Sequence, residues 1–461
     1  MPAVGEAQQA IFDMGHVVGE VARTRHPDGV LVEGGPFDQD AMAAKTAELI
    51  GRGGPPAIFE ATFEHERVVS RADLLVRAPG GRWDLHEVKG SAHVKDPNPD
   101  DLAIQYWVLT GAGIKINQAG ILTLNRDYVY QGDDYDAQAL FKFNDLKADA
   151  RAKQSEVTEK VEELQAVLRM KMAPDIDIGE HCSAPYDCPF WEHCTEGMET
   201  LDNPITDLPN LSQKKKILLA DLGVDVIEGI PCDFKLTEQQ AHVVDCVVNN
   251  RAWASGELGR VLTRVEYPVH HLDFEAINPA LPLYAGTHPF DAVPFQWSDH
   301  VESKNGGVEH REFLHEGSDD PRPAFVESLL ENLGSKGTIF IWGSYEIMRM
   351  NELATEFPKQ TKALAAATKR CVDMCQLVRK HYYHPGFHGS FSIKSVLPAV
   401  VPKMSYKGLD IQDGEAAGRA FMQARAGTDP REHRRILQAL RQYCGMDTAG
   451  VVAIRQKLAR S

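Results

Sequence analysis

Apolar and polar residues alternate along the chain between residues 57 and 90. Three runs have the period of two that is typical of β-strands: AIFEATFEH, VVSRADLLVRA and RWDLHEVKG. The Pro-Gly-Gly triplet at 79–81 separates the last two runs and predicts a tight turn. The elements predicted next are a helix at 101–113, a strand at 118–130 and an amphipathic helix at about 147–172.

A second pattern of strands begins at residue 266. Three successive strands are predicted over HHLDFEAI, AVPFQWSDHV and EHREFLHE. A helix near Pro321, the short strand TIFIW and further helices follow. This order favours a ribonuclease H-like layer arrangement. Between the two patterns, 205–265 predicts short helices, interpreted either as a packed linker or as a helix-hairpin-helix that binds phosphates through backbone amides.

The predicted fold class is therefore α/β (α+β) with three parts: a first domain at 1–200, a helical linker at 201–265 and a second domain at 266–461. A chain of 461 residues is too long for one compact domain. Its 43% hydrophobic and 25% charged residues are those of an ordinary globular protein. Because no apolar run is long enough to span a bilayer and no signal peptide opens the chain, we expect a cytoplasmic protein without a membrane partner.

The formal net charge of −17 argues against a broad basic surface that holds nucleic acid. It does not exclude a nuclease, because clustered carboxylates that bind divalent cations make such proteins locally acidic. Phosphate contacts can still come from local basic stretches such as Lys214, Lys215 and Lys216.

The first candidate site lies on the hairpin at 68–90. Side chains alternate across a strand, so Glu87 and Lys89 point to one face, and Asp73 on the preceding strand can approach them. Two carboxylates and one lysine suit Mg²⁺ or Mn²⁺. Such a metal polarises a scissile phosphate and lowers the pKa of an attacking water, which the lysine orients. The alternative is a surface Glu-Lys pair on an edge strand.

An acid, a short gap and Glu-x-Lys on a strand resemble the PD-(D/E)XK nuclease superfamily. Gln105 on the following predicted helix and His16 in FDMGHVVGE extend the resemblance to the RecB-type branch. That resemblance implies a restriction-endonuclease-like fold, His16 as a metal ligand with Asp73 and Glu87, and Gln105 as a supporting residue.

A group of cysteines follows this domain: Cys182, Cys188 and Cys194 in GEHCSAPYDCPFWEHC. In a reducing cytosol such a group indicates a metal site before a disulfide. RecB-type nucleases of the iron–sulfur branch carry three cysteines after the core and a fourth near the start, so the resemblance implies a [4Fe–4S] cluster with a structural role. Zn²⁺ is the alternative metal, and a metal-free reduced group is the third interpretation.

The fourth ligand is open, because no cysteine precedes residue 182. Either the sequence lacks an N-terminal segment, or His181, His193 or Cys232 completes the set. Cys371 and Cys375, four apart on a predicted helix, are interpreted as small buried hydrophobes.

The second candidate site joins acids from three elements. Asp273 and Glu275 are two apart on a strand, so both carboxylates face one side. Tyr443 and Asp447 are four apart on one face of a helix, and Glu346 lies where a strand gives way to a helix. Such a set can hold two divalent cations about 4 Å apart, and the tyrosine can position the attacking water.

Asp-x-Glu, a middle acid and Tyr-x3-Asp, in this order, resemble the DnaQ-like exonucleases of the DEDDy subgroup. The resemblance implies removal of nucleotides in the 3′-to-5′ direction by a two-metal mechanism. The middle acid of those enzymes is usually aspartate, whereas Glu346 stands here and Asp373 is a second candidate for a supporting acid.

The chain as a whole resembles a bacterial family known as a domain of unknown function, whose members join a RecB-like nuclease to a DnaQ-like exonuclease region. The resemblance rests on LDFEAINPALPLYAGTHPFDAVPFQWSDHV, HGSFSIKSVLP and YCGMDTAGVV. We therefore expect a metal-dependent nuclease with two active sites, with DNA favoured over RNA as substrate. The alternatives are a nucleic-acid-binding protein whose sites have decayed and an RNA exonuclease.

Overall fold

The computed structural model describes residues 5–35, 37–51, 53–198, 201–427 and 429–460. The chain divides into two units: residues 1–197 with 278–291, and residues 198–277 with 292–461. Both units are mixed α/β, as the sequence predicts. The predicted boundary at residue 200 lies outside the described residues, and the predicted linker at 201–265 groups with the second unit.

The first unit contains a mixed sheet in the order β1-β2-β3-β4-β5-β6. Its strands are β1 (Val30–Leu31), β2 (Ala57–His65), β3 (Val68–Ala78), β4 (Arg82–Val88), β5 (Ile116–Leu124) and β6 (Phe141–Asp145). Strands β2, β3 and β4 form an antiparallel meander, and β5 runs parallel to β4. The three alternating runs therefore form the strands that the sequence predicts. The strand predicted at 118–130 ends earlier, at Leu124, before a turn closed by the Tyr128 N–H and the Asn125 carbonyl.

Helices of the first unit are α1 (Glu6–Arg23), α2 (Gln39–Ile50), α3 (Asn98–Gly111), α4 (Ala137–Leu140), α5 (Lys147–Ala152), α6 (Gln154–Leu168) and α7 (Trp191–Cys194), with a 3₁₀ turn at Glu180–Cys182. The single helix predicted at 147–172 is wrong, because α5 ends and α6 begins around Lys153. The break lets α6 pack against α3, where the Trp107 indole N–H donates to the Thr158 hydroxyl at 2.9 Å.

Two hydrophobic cores lie in this unit. One contains residues of α3 and the sheet, including Leu102, Leu109 and Leu85. The other contains Val18 of α1 together with Leu281, which belongs to the connection between two strands of the second unit. Residues 278–291 thus form part of the first unit's core, although the flanking strands belong to the second unit.

In the second unit, the main sheet has the order β10-β9-β8-β11-β12. Its strands are β8 (Val269–Ile277), β9 (Val293–Glu302), β10 (Val308–Leu314), β11 (Thr338–Ile341) and β12 (Cys371–Asp373), and a separate small pair joins β7 (Trp253–Ala254) to β13 (Tyr382–Tyr383). Strands β8, β9 and β10 are antiparallel, whereas β8, β11 and β12 are parallel. The three strands predicted from residue 266 and the TIFIW strand are present at these positions.

Helices of the second unit are α8 (Gln213–Asp221), α9 (Glu238–Val248), α10 (Leu258–Thr263), α11 (Arg322–Leu333), α12 (Tyr345–Glu356), α13 (Thr361–Thr368), α14 (Met374–His381), α15 (Ile393–Val400), α16 (Gly414–Arg425) and α17 (Pro430–Leu458). Short 3₁₀ turns lie at Ile205–Asp207, Ile227–Gly229 and Pro385–Phe387. The short helices predicted for 205–265 are present, and the choice between a packed linker and a helix-hairpin-helix stays a prediction.

The predicted helix that carries both Cys371 and Cys375 is wrong. Cys371 begins β12, which pairs in parallel with β11, and Cys375 lies in α14. Asp373 separates the two elements, because its carboxylate accepts the backbone N–H of Gln376 and caps α14. Among the described residues, no helix combines the length and the apolar character that a bilayer crossing requires.

Candidate active sites

Strand β8 separates an apolar face from an acidic one. Leu272 and Phe274 lie in the core of the second unit with residues of α11, and the Phe274 ring meets Phe325 edge-on at 5.0 Å. Asp273 and Glu275 alternate with them and so point to the opposite face. The long helix α17 packs against β8, which brings its side chains to these two acids.

Helix α17 contributes Tyr443, Cys444 and Asp447, all of them buried. The Cys444 thiol lies 3.5 Å from the Asp273 Oδ2 atom. Single ligand atoms of Asp273, Glu275 and Cys444 all lie within 4.8 Å of one another, the one such group of three found within the described ranges. Two neighbouring elements thus supply one compact set of donor atoms.

Glu346 lies in the first turn of α12 and is 2% exposed. Its Oε2 atom is buried and has no hydrogen-bond partner among the described residues. A buried carboxylate oxygen without a partner costs free energy, and either a bound cation or a hydrogen-bond donor would offset that cost. Asp373, the second candidate for a supporting acid, accepts the backbone N–H groups of Gly343 and Gln376, each at 3.1 Å.

The structure brings together the four acids that the sequence singled out in this unit. We call Asp273, Glu275, Glu346 and Asp447 the carboxylate cluster. Burial, followed by repulsion from the other acids, raises the pKa of Asp273 and that of Glu275 well above their ordinary values. Burial also raises the pKa of Glu346 to about 8 and that of Asp447 to about 6. These carboxylates therefore cannot all be ionised at neutral pH unless a cation offsets their charge.

Sequence reasoning missed two residues that contact the cluster and a third whose charge acts on it. The Tyr406 hydroxyl donates to Asp447 Oδ1 at 2.5 Å, and Cys444 touches Asp273. Lys394 lies with its ammonium 5.5 Å from the Tyr443 ring centre, and its charge lowers the pKa of Glu275 and Asp447. Tyr406 and Lys394 are not spaced two or four residues from any of the four acids. Spacing along the chain therefore could not predict that they lie near the cluster. Cys444 directly follows Tyr443, and that adjacency was the available signal.

In the first unit, Glu87, Lys89 and Gln105 are joined by hydrogen bonds, and Asp73 lies opposite Glu87; we call these four residues the β3–β4 site. The register of β3 and β4 pairs Leu74 with His86, so Glu87 lies opposite Asp73. The Glu87 carboxylate accepts from Lys89 Nζ and from Gln105 Nε2, both at 2.7 Å. Asp73 Oδ2 accepts the backbone N–H of Val88 at 2.7 Å, next to these groups.

Electrostatics in the β3–β4 site resemble those of the cluster. Burial, and then the charge of Glu87, raises the pKa of Asp73 well above its ordinary value. Burial raises the pKa of Glu87, although Lys89 opposes the shift. For Lys89, burial alone would lower the pKa, but Glu87 and Asp101 together raise it, so its ammonium group stays charged.

Two further acids of this site were missed. Asp101 Oδ2 accepts from Lys89 Nζ at 2.6 Å, and its position four residues before Gln105 on α3 was an available signal. Glu60 lies opposite Asp73, since Phe59 pairs with Leu74 and Ala61 with Ala72. Its φ of 56° is unusual for a residue other than glycine, and Arg23 holds its carboxylate at 2.9 Å. Only the pairing of β2 with β3 reveals Glu60.

His16 is exposed on α1. Met14 and Val18 on the same helix lie near Gly90, which follows Lys89, so α1 passes close to the end of β4. No contact between His16 and the acids is found among the described residues, and its role as a ligand stays a prediction.

The three cysteines of the predicted metal site differ in their exposure. Cys182 is buried, Cys188 is half-buried and Cys194 is exposed, and their sulfur atoms do not form a group of three within 4.8 Å. The Cys188 backbone N–H donates to the Cys182 carbonyl at 2.8 Å, which fixes the local turn. A [4Fe–4S] cluster, or Zn²⁺ in its place, stays a prediction.

A family model described as a domain of unknown function (DUF2779) matches residues 270–392. The match begins and ends in the second unit and includes the connection 278–291, which belongs to the first unit. It includes Asp273, Glu275 and Glu346 and ends before Tyr443 and Asp447. No curated protein and no solved structure shows significant similarity to the chain.

Proposed function

We propose that the protein is a divalent-metal-dependent nuclease that hydrolyses phosphodiester bonds at the carboxylate cluster of the second unit, with DNA as its substrate. The observation that carries the proposal is the convergence of four acids from β8, α12 and α17. The pKa of each is raised by burial. A protein bears the free-energy cost of such an arrangement when charge neutralisation by a ligand is part of its function.

The donor set fits Mg²⁺ or Mn²⁺. Carboxylate oxygens are the hard ligands that these cations prefer, and the unpartnered Glu346 Oε2 offers one such oxygen. Asp273, Glu275, Glu346 and Asp447 would hold the metal. When bound, divalent cations polarise the scissile phosphate and lower the pKa of an attacking water.

Tyr406 and Tyr443 orient groups at the cluster, and Lys394 reduces its negative charge. Tyr406 fixes one oxygen of Asp447, which leaves the other oxygen of this carboxylate for a ligand. Burial and the neighbouring acids raise the pKa of Tyr443, so its hydroxyl keeps its proton and can donate a hydrogen bond to water or substrate. Lys394 reduces the negative charge that a substrate phosphate would otherwise meet.

A ribonuclease H-like assignment of the second unit is part of the proposal. The strand order β10-β9-β8-β11-β12, with three antiparallel strands followed by parallel ones, supports it. The resemblance of Asp-x-Glu and Tyr-x3-Asp to the DnaQ-like exonucleases adds the expectation of 3′-to-5′ polarity.

A second nuclease activity is proposed for the first unit. Asp73, Glu87, Lys89 and Gln105 lie together on the meander β2–β4 and the following helix, an order that supports a restriction-endonuclease-like fold. Lys89 bridges Glu87 and Asp101, so its charged ammonium is held at the site where it could orient a water.

The experiment that tests both proposals uses single-stranded DNA labelled at either end, with Mg²⁺ or Mn²⁺. We expect a ladder of products shortened from the 3′ end, which Asp273→Asn abolishes and Lys89→Ala leaves intact. Any activity that only Lys89→Ala removes belongs to the first unit. If both variants keep full activity, the assignment is wrong. DNA binding without hydrolysis under any divalent metal would support the alternative of decayed sites.

A further inference from the structure

The chain between Asp373 and Asp410 has a charge opposite to that of the whole protein. It contains no Asp or Glu, three histidines and five cationic residues: Arg379, Lys380, Lys394, Lys403 and Lys407. The same stretch carries five aromatic residues: Tyr382, Tyr383, Phe387, Phe391 and Tyr406. In a chain of net charge −17, this stretch is a local site where a polyanion is attracted rather than repelled.

Part of this stretch lines a cavity of about 480 Å³, which we call the aromatic cavity. Two ring contacts lie among its lining residues. The His242 ring stacks on Trp253 with ring centres 3.9 Å apart. The Arg379 guanidinium lies 5.0 Å from the Phe391 ring centre. Arg379 and Lys380 are exposed at its wall, and Glu238 is the acid among its lining residues.

The aromatic cavity and the carboxylate cluster share one segment of chain. The Phe391 carbonyl accepts the Trp342 indole N–H at 3.1 Å, which anchors the segment beside the end of β11. Three residues later, Lys394 on α15 reaches the ring of Tyr443. The Cα atoms of Phe391 and Lys394 are at most about 11 Å apart, and the charge of Lys394 acts on Glu275 and Asp447. The cavity wall therefore lies within reach of a short stretch of nucleotides from the side chain that acts on the cluster.

We propose that the aromatic cavity is a binding subsite for single-stranded polynucleotide, which holds the strand beside the end that is cut at the carboxylate cluster. Arg379 and Lys380 contact phosphates, and an unpaired base packs against the Trp253–His242 pair. A positively charged groove with aromatic rings is how proteins bind single strands without reading their sequence, since every base has a face that can stack. The inference rests on the proposed function for the location of the cut end. A duplex keeps its bases stacked on one another and cannot use the cavity in this way.

Binding is measured on the full chain carrying Asp273→Asn, with Mg²⁺ and a fluorescent oligo-dT, by fluorescence anisotropy. We expect the charge reversal R379E/K380E to weaken binding by at least about tenfold. The slope of log Kd against log salt should become shallower by about 1.4, as expected when two single-strand phosphate contacts are lost. The matched control K359E/K362E makes the same charge change on two exposed residues, Lys359 just before α13 and Lys362 within it. This control should leave Kd within about twofold of that of the unmodified residues.

Equal weakening by the two double variants, or no weakening by either, would overturn the subsite. So would equally tight binding of a blunt duplex of the same length. Binding of matched RNA and DNA strands shows which polymer the subsite prefers. A selective loss of RNA binding or of DNA binding in R379E/K380E supports the subsite.

Hydrolysis separates this inference from the proposed function. In the otherwise unmodified protein, R379E/K380E should raise KM and leave kcat nearly unchanged. Absence of hydrolysis by the unmodified protein would refute the nuclease proposal alone, since the binding comparison is made without turnover. Hydrolysis with unchanged KM and Kd in R379E/K380E would refute the subsite alone.

Discussion

Replacing Glu346 by glutamine tests the electrostatic description of the carboxylate cluster. Burial raises the pKa of Glu346 from its ordinary 4.5 to about 8. The folded protein therefore binds this proton more tightly than the unfolded chain. The stabilisation that results is complete below about pH 4.5 and is lost as the pH rises through about 8. At about 1.4 kcal/mol for each pH unit, the ionised carboxylate costs up to about 5 kcal/mol of the free energy of unfolding.

Glutamine has nearly the same shape and no charge at any pH. In metal-free protein, we expect Glu346→Gln to exceed the unmodified protein in free energy of unfolding by several kcal/mol at pH 8, and to match it near pH 4. Urea denaturation in EDTA at both pH values measures the difference, and the exposed Glu327→Gln on α11 is the control. Adding Mn²⁺ at pH 8 should stabilise the unmodified protein and not Glu346→Gln. The same pH dependence in both proteins would refute this reasoning.

Three other predictions concern groups around the sites. Tyr406→Phe removes the hydrogen bond that lowers the pKa of Asp447. The acidic limb of the pH–rate profile should then move to higher pH, and the rate should fall by about 10- to 100-fold. An acidic limb that does not move would contradict the contact. Cys444→Ser replaces a soft sulfur beside Asp273; inhibition by Cd²⁺ should weaken while activity with Mg²⁺ remains, and equal inhibition of both proteins would exclude the thiol as a ligand. Protein purified without oxygen should be brown and contain iron if Cys182, Cys188 and Cys194 bind a [4Fe–4S] cluster. Colourless protein with about one zinc per chain would favour Zn²⁺. Protein that contains neither metal would favour a reduced group of thiols.

Local periodicity explains why so much of the two sites could be predicted. Asp273 and Glu275 share a face because they are two apart on a strand, and Tyr443 and Asp447 because they are four apart on a helix. The hairpin that carries Asp73 and Glu87 was visible because the Pro-Gly-Gly turn fixes where one strand ends and the next begins. In these cases the spacing along the chain determines the spacing in space.

The missed features depend on tertiary packing. Tyr406 lies in a connection between helices, and its contact with Asp447 joins residues 41 apart in the chain. Strand β12 has three residues, too few to show a period. The sequence of the connection at 278–291 predicts a loop, and nothing in its composition indicates that it packs in the core of the first unit. Lys153 likewise interrupts a helical pattern that continues on both sides.

The most direct test of the central claim is the rate of 3′-end shortening of single-stranded DNA in the Lys89→Ala background, with and without Asp273→Asn. The background removes the contribution proposed for the β3–β4 site, so the carboxylate cluster acts alone. We expect Mg²⁺- or Mn²⁺-dependent shortening in Lys89→Ala protein and only the metal-free background rate in the double variant. Equal shortening by both proteins would contradict hydrolysis at the carboxylate cluster.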